Sequence, residues 1–309
     1  MTKVFIDGSA GTTGLRIAER LELRQDIELI RLSEENRKDI SARKEAINMA
    51  DIVFLCLPDA ASVESVSLCD NPNTVIIDTS TAHRTNSDWA YGFPELSADL
   101  YNKIKNSKRI ANPGCHASGF IALVYPLIEK GILDENALLS CVSLTGYSGG
   151  GKKMIANYEA DNRDVLLDAP RQYGLSQFHK HLPEMTAITG IKNPPAFMPI
   201  VGDFYSGMEV TIPIFPQMLK GVGIEDIKNV YKEKYTGPVV YFAEDFDENG
   251  FVSANKLRNK DSMEISVSGN EDRILLIARY DNLGKGASGA AVECMNIVLG
   301  CDLTTGLEI

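Results

Sequence analysis

The first twenty-three residues constrain the fold more than any other stretch. A short apolar strand, KVFID, runs into the glycine-rich turn GSAGTTG and then into TGLRIAERLEL, where Leu15, Ala18 and Leu21 recur at helical spacing. Glycines between a strand and a helix permit a tight turn and close backbone approach to a pyrophosphate, whose charge the first amides of the helix hold. The spacing is GxxGxxG, a variant of GxGxxG, and it nominates Gly8, Ser9, Gly11, Thr12, Thr13 and Gly14 for dinucleotide binding. The grammar then repeats: IELIRL reads as a strand, DISARKEAINMA as a helix, DIVFLCL as a strand buried on both faces, DAASVESVSLC as a helix and TVIIDTS as a fourth strand. Such alternation implies parallel pairing in a doubly wound, Rossmann-type α/β sheet.

Beyond residue 115 the pattern changes. ASGFIALVYPLIEKG reads as a helix ending near Gly131, with Pro126 expected to kink it or end its regular part. Longer strand candidates follow: LLSCVSLTGY, MEVTIPIF, VVYF, MEISVSG and RILLIARYDN. Their alternation fits a mainly antiparallel sheet with one covered face, in an α+β domain. KKMIANYEADN and IEDIKNVYKEKY supply covering helices, and GASGAAVECMNIVLG is apolar nearly all round, so it belongs in a core. The expected domains are residues 1–115, completed by a C-terminal helix at 286–309, and residues 116–285.

The residue that reads the ribose lies some twenty positions after the glycines. Here the second strand ends in RLSEENRK, which offers Ser33 and Arg37, with Arg31 and Lys38 nearby. A hydroxyl and a guanidinium suit a 2′-phosphate, hence NADP rather than NAD. Glu34 and Glu35 share the loop, and a solvated charged turn is the other reading.

Cys115 sits in ANPGCHASGF, behind a turn and at the start of a helix. A thiol there feels the positive end of the helix dipole, which favours thiolate. Cys56 and Cys294, within apolar runs, read instead as packing. A thiolate beside a nicotinamide points to attack on an activated acyl group, then reduction of the thioester to an aldehyde. The acid/base candidates lie in FHKHLPE: His181 first, then His179, with Glu184 to orient one of them; alternate residues of an extended segment would place both rings on one face. His116 neighbours the thiol in sequence but points elsewhere on a helix. For an anionic leaving group, Arg84 in DTSTAHR lies past the fourth strand, and Asn112 lies three residues before the thiol. GYSGGGKK places Ser148 and Gly149 where exposed amides bind an anion or merely turn the chain. Asn282, in DNLGKGASG, offers an amide to a carboxamide such as that of nicotinamide.

Composition narrows the classes. The chain has 309 residues and a net charge of −11, from 42 acidic and 31 basic side chains, which argues against nucleic acid or an anionic membrane as a partner. Six scattered cysteines without a close pair read as reduced thiols, and four histidines without ligand spacing predict no metal. The opening MTKVFIDG has no apolar leader, so a cytoplasmic protein is expected.

Together GSAGTTG, ANPGC, HKHLPE and DNLGKGASGAAVECMN resemble the N-acetyl-gamma-glutamyl-phosphate reductase family, in its shorter-chain (type 2) form, judged also by length and GYSGGGKKMI. The resemblance implies NADPH-dependent reduction of N-acetyl-L-glutamyl 5-phosphate to the 5-semialdehyde, with release of phosphate, in arginine biosynthesis. It implies Cys115 as nucleophile, the histidine pair as acid/base, and a homo-oligomer of two or four chains. The family's usual His-Arg-His reads His179-Lys180-His181 here, which loses the planar fork. Two other readings are aspartate-semialdehyde dehydrogenase or an aminoadipyl-phosphate reductase, and a non-catalytic NADP-sensing regulator.

Overall fold

β1 (Thr2–Asp7) carries the chain into the glycine turn and α1 (Thr12–Glu22). This computed structural model describes residues 1–309, which divide into two units: Met1–Gly114 with Ala287–Leu307, and Cys115–Gly286 with the last two residues.

In the first unit α1 is followed by β2 (Ile27–Ile30), α2 (Ile40–Met49), β3 (Ile52–Leu55), α3 (Asp59–Ser67), β4 (Val75–Asp78), β5 (Ala90–Tyr91), α4 (Ala98–Asn106) and β6 (Arg109–Ala111). The six strands pair in the order β2-β1-β3-β4-β6-β5, all parallel. The order reverses beside β1, so the glycine turn lies at the carboxyl edge where such sheets bind ligands. Alternation sorts the strands' side chains onto two cores. Val4, Ile6, Ile52, Phe54 and Ile77 join the helix side of α1, while Phe5, Val53, Leu55 and Ile76 join Ala46 and Ile47 of α2. The buried stripe of α1 is Gly14, Ile17 and Leu21; Leu15, expected on that stripe, is exposed. Asp7, the last residue of β1, is buried against Arg43 of α2 at 3.0 Å and accepts from Ser65 Oγ at 2.8 Å. Loss of one partner from such a buried pair costs about 3–5 kcal/mol.

The second unit begins with α5 (Cys115–Glu129) and continues through β7 (Ser140–Gly146), α6 (Gly151–Tyr158), β8 (Arg171–Gln172), α7 (Leu182–Thr189), β9 (Ala196–Gly202), β10 (Met208–Ile214), α8 (Ile224–Lys234), β11 (Val240–Phe242), β12 (Met263–Asn270) and β13 (Arg273–Tyr280). The seven strands lie in the order β11-β12-β13-β10-β7-β9-β8. Four of the pairings are antiparallel, while β7–β9 and β11–β12 are parallel. α5 and α8 cover one face. The other face leaves Val142, Leu144, Met198, Ile200 and Thr211 half-exposed in cross-strand register.

Pro126 does not end α5. Proline cannot donate to the carbonyl of Ala122, and its ring disturbs that turn. The Tyr235 hydroxyl donates to Ala122 O at 2.7 Å, and the Tyr231 hydroxyl donates to the neighbouring carbonyl of Leu123. Tyr235 thus supplies the donor that the proline withholds, and Tyr231 braces the next carbonyl.

The last helix, α9 (Gly289–Leu299), is preceded by a π-helical turn, Gly284–Ser288. Its Ala291, Val292 and Met295 join Val4, Ile6 and Ile17 in the first unit's core. Arg20 of α1 reaches Ser288 Oγ at 2.6 Å, and Arg24 reaches Asn296 Oδ1 at 2.5 Å.

Candidate active site

In the first unit the nucleotide site is made of backbone. Gly8 has φ +90°, and a Cβ there would meet Cys56 O at 2.3 Å. A Cβ on Gly14 would meet Gly8 O at 2.5 Å, whereas one on Gly11 would meet nothing closer than 3.4 Å. The turn is therefore closed underneath and open at Gly11. No side chain caps α1, which leaves the amides of Thr12 and Thr13 for a ligand, with Ser9 beside them. These features fit a dinucleotide pyrophosphate. Ser33 and Arg37 lie in the exposed loop after β2. Arg37 pairs with Glu34 at 2.9 Å, and Arg31 with Glu22 at 2.5 Å. An incoming 2′-phosphate would compete with Glu34 for Arg37.

At the carboxyl end of β4 and β6, Arg84 and Asn112 come together. Arg84 is buried; its Nε donates to Asn112 O at 2.9 Å and its Nη2 to Thr79 O at 2.8 Å. Through these two bonds the guanidinium buttresses the Asn-Pro-Gly turn. Asn112 is buried; its Nδ2 donates to Ala287 O at 3.0 Å, and its Oδ1 has no partner. In the loop after β4, Asp78 is fully buried and His83 Nδ1 lies 2.6 Å from its Oδ2.

In the second unit Cys115 is the first residue of α5, half-buried. The Tyr280 hydroxyl donates to Cys115 O and accepts from Gly119 N at 3.0 Å, so it bridges the first turn of the helix. Only a glycine at 119 allows this, since a Cβ would meet that hydroxyl at 2.7 Å. Burial and the nearby Cys115 thiol push both the Tyr280 and Tyr173 hydroxyls up, which keeps them neutral.

His116, expected to point away from the other histidines, lies against both of them. It is buried, with Nδ1 2.7 Å from Ser143 Oγ and Nε2 2.7 Å from the Tyr173 hydroxyl. Desolvation, with His179 and Lys180 nearby, pushes it down to about 3, so it stays uncharged and is no base at neutral pH. Its ring lies 5.6 Å from that of His179 and 5.7 Å from that of His181; His179 and His181 are 4.8 Å apart. The HKHLPE segment is not extended. His181 has helical backbone angles at the N-cap of α7, and its N–H donates to His179 Nδ1 at 3.2 Å. A turn rather than a strand brings the rings together. That bond makes His179 Nδ1 an acceptor, and burial with Lys180 lowers its pKa. His181 and Glu184 are both buried, at the N-cap and in the first turn of α7, three residues apart on one face.

Asn282 and Ser148 also meet, with Gly149 beside them. Asn282 Nδ2 donates to Ser148 Oγ at 3.0 Å, and its Oδ1 accepts from Gly207 N at 2.9 Å. The amide thereby ties the loop after β7 to the residue before β10, with one Nδ2 hydrogen and one Oδ1 lone pair. The amides of Gly146, Tyr147 and Ser148 donate to Gly207, Phe204 and Tyr205 carbonyls, which makes this stretch a fastened turn. No group of metal-ligating side chains occurs, and no helix is long and apolar enough to cross a membrane.

Comparison with known proteins places these features. Residues 3–104 match the semialdehyde dehydrogenase NAD-binding domain, and residues 115–282 the semialdehyde dehydrogenase dimerisation domain. The fold is similar to aspartate semialdehyde dehydrogenase II of Vibrio cholerae (TM-score 0.71, 16% identity, 97% of this chain and 98% of that one). It is equally similar to the NADP complex of the Candida albicans aspartate semialdehyde dehydrogenase (TM-score 0.70, 15% identity, 97% and 98%). In sequence the chain is 44% identical to the N-acetyl-gamma-glutamyl-phosphate reductase of Brucella ovis (96% of this chain, 99% of the relative). It is 41% identical to N-acetyl-gamma-glutamyl-phosphate reductase 2 of Nostoc sp. (99% of each). With a semialdehyde dehydrogenase fold and relatives 41–44% identical over nearly its whole length, the chain belongs to the N-acetyl-gamma-glutamyl-phosphate reductase family.

Proposed function

We propose that this chain reduces N-acetyl-L-glutamyl 5-phosphate to N-acetyl-L-glutamate 5-semialdehyde with NADPH, releasing phosphate, in arginine biosynthesis. The observation that carries the reading is a thiol at a helix N-terminus, beside a cluster of three imidazoles, in a chain 44% identical to a reductase of that name. Cys115 Sγ attacks the acyl carbon and forms a thioester as the C–O bond to phosphate breaks. His181 takes the thiol proton and later holds a proton at the oxygen of the tetrahedral intermediate, with Glu184 orienting it and His179 beside it. The His116–Tyr173–Ser143 chain keeps the wall of the site neutral, which concentrates the charge on the sulfur. Gly8, Gly11, Gly14 and the amides of Thr12 and Thr13 hold the pyrophosphate, and Ser33 and Arg37 read the 2′-phosphate. NADPH, when bound, supplies the hydride that reduces the thioester.

We further propose a cytoplasmic homo-oligomer assembled through the open face of the second sheet. Val142, Leu144, Met198 and Ile200 form a cross-strand apolar patch there, and a half-exposed sheet face of this kind is stabilised by a second copy. Analytical ultracentrifugation tests it: the Leu144→Asp/Ile200→Asp chain sediments as a monomer and the parent does not. The substrate assignment is tested by offering acetylglutamate, aspartate and aminoadipate semialdehydes with phosphate and either NADP or NAD. Preference for the aspartate compound overturns it.

A further inference from the structure

The start of α5 is braced from outside by a residue that the chemistry above does not use. Along β13, alternation turns Leu276, Ala278 and Tyr280 toward the face that α5 covers, with Met208 of β10 opposite Tyr280. Leu276 and Ala278 pack as hydrocarbon. Tyr280, fully buried, ends the row with a hydroxyl, which accepts from Gly119 N at 3.0 Å and donates to Cys115 O at 2.5 Å. These are the two ends of one rung of the helix, since the amide four residues on is the ordinary partner of that carbonyl. A helix closes such a rung by itself, so the hydroxyl is an addition to it and replaces no missing donor. The addition has a cost. It requires glycine at 119, where a Cβ would meet the hydroxyl and Val210 Cγ2, each at 2.7 Å, and glycine weakens a helix interior relative to alanine.

A second contact comes from the chain just beyond. Asp281, fully buried, accepts from Ser206 Oγ at 2.9 Å, Asn259 N at 2.5 Å and Leu283 N at 2.7 Å. Its carbonyl accepts from Gly284 N at 3.1 Å and Gly286 N at 3.0 Å. These bonds curl residues 281–286 into a fixed turn that returns Gly286 to the thiol residue. A Cβ on Gly286 would lie 3.1 Å from Cys115 Cβ. Cys115 is thus held at its carbonyl by Tyr280 and faced at its Cβ by bare backbone. Tyr280 and Gly286 both belong to the same unit as the thiol. Burial and the thiol itself push the Tyr280 hydroxyl up, so it keeps the proton that it donates.

We propose that Tyr280 is the positioning residue of the thiol: by clasping Cys115 O and Gly119 N it fixes the first turn of α5 and, with Gly286 against Cβ, holds Sγ in the direction from which it attacks the acyl carbon. The proposal rests on the reading of Cys115 as nucleophile. Tyr280 acts through Cys115 alone. A reacting atom displaced by about 1 Å loses up to two orders of magnitude in rate. The amides of a helix's first turn favour thiolate only while that turn keeps its shape. Loss of the clasp therefore lowers the thiolate fraction and the rate of attack together, while substrate and cofactor bind as before.

Tyr280→Phe removes one oxygen and keeps the ring. Alkylation of Cys115 by iodoacetamide, read at that residue by mass spectrometry, slows about tenfold at pH 7. The pH of half-maximal alkylation rate moves up by about one unit. In turnover from semialdehyde, NADP and phosphate, kcat falls about 10–100-fold, with KM and NADPH binding within about twofold of the parent. Gly119→Ala drives the hydroxyl off from the helix side and slows alkylation likewise. Added to Tyr280→Phe it changes the rate by no more than about threefold, because both break one clasp. Alkylation at the parent rate in either variant, additive losses in the pair, or an effect confined to KM or to thermal stability each overturns the proposal. Should Tyr280→Phe not fold, Gly119→Ala decides alone. A parent whose turnover survives Cys115→Ala sinks the nucleophile reading and the role of Tyr280 with it, whereas unchanged alkylation sinks the role of Tyr280 only.

Discussion

The two units build their chemistry from different materials. The first works with backbone: glycines at 8, 11 and 14, an uncapped helix start, and strand ends at one edge of a parallel sheet. The second works with side chains drawn from distant points of the chain, with His116, Ser143, Tyr173, His179, His181 and Phe197 packed ring against ring or hydroxyl. A backbone site tolerates little change at its glycines and much elsewhere. A side-chain site depends on every neighbour that holds a ring in place. The comparison predicts that substitutions in the first unit alter cofactor binding and leave the thiol chemistry intact, with the converse in the second.

The hardest test is Cys115→Ala. Phosphate-dependent reduction of NADP falls by at least about 10⁴-fold, while NADPH binding, read by fluorescence, stays within about twofold because the dinucleotide is held by backbone elsewhere. Near-normal turnover breaks both the nucleophile assignment and the division of labour. Next come the histidines. His181→Asn slows acylation about 10²–10⁴-fold, and His179→Asn slows it less, because its Nδ1 already accepts from the His181 amide. Single-turnover acylation decides the order, and the reverse ranking moves the base to His179.

A smaller effect is expected at Gly8, where positive φ and a 2.3 Å clash with Cys56 O make an alanine strained. Gly8→Ala weakens NADPH binding by about 1–3 kcal/mol and leaves the rate of Cys115 alkylation unchanged. An altered alkylation rate shows that the two sites are not separable. The smallest effect is on stability against pH. Folded His116 is depressed to about 3, whereas unfolded histidine titrates near 6.5. Below the unfolded value the unfolded chain binds a proton that the folded chain refuses. The stabilisation is therefore complete above that value and declines as pH falls, by up to about 1.4 kcal/mol per pH unit. Denaturation from pH 7 to 4.5 measures the slope, and His116→Gln flattens it.

The same division explains what could be read from sequence. The Rossmann-type unit announces itself because strand, glycine turn and helix are neighbours in the chain. The last helix shows as an apolar run, although its π-helical lead, Gly284–Ser288, has no local signature. The second sheet was legible as mainly antiparallel, but not the parallel pairing of β7 with β9, since AFMPIVG is too short and too mixed to stand out. Contacts made across the sequence stayed hidden. Nothing near Arg84 hints that carbonyls 28 and five residues away take its guanidinium. Nothing near Asn282 shows that Ser148 and Gly207 take its amide. Helical phase was a poor guide at His116, because the wall it faces is contributed by β7, β9 and the segment after β8.

The first unit borrows its final helix from the far end of the polypeptide, and this sets a schedule for synthesis. When residue 114 leaves the ribosome, the parallel sheet exists as sequence, but Val4, Ile6 and Ile17 still lack Ala291, Val292 and Met295. The second unit, apart from its last two residues, is continuous from Cys115 to Gly286 and is made before that helix. Translation must therefore pass Leu299 before the cofactor-binding half can close its core, and a chain cut before Gly289 leaves that half the unfinished one.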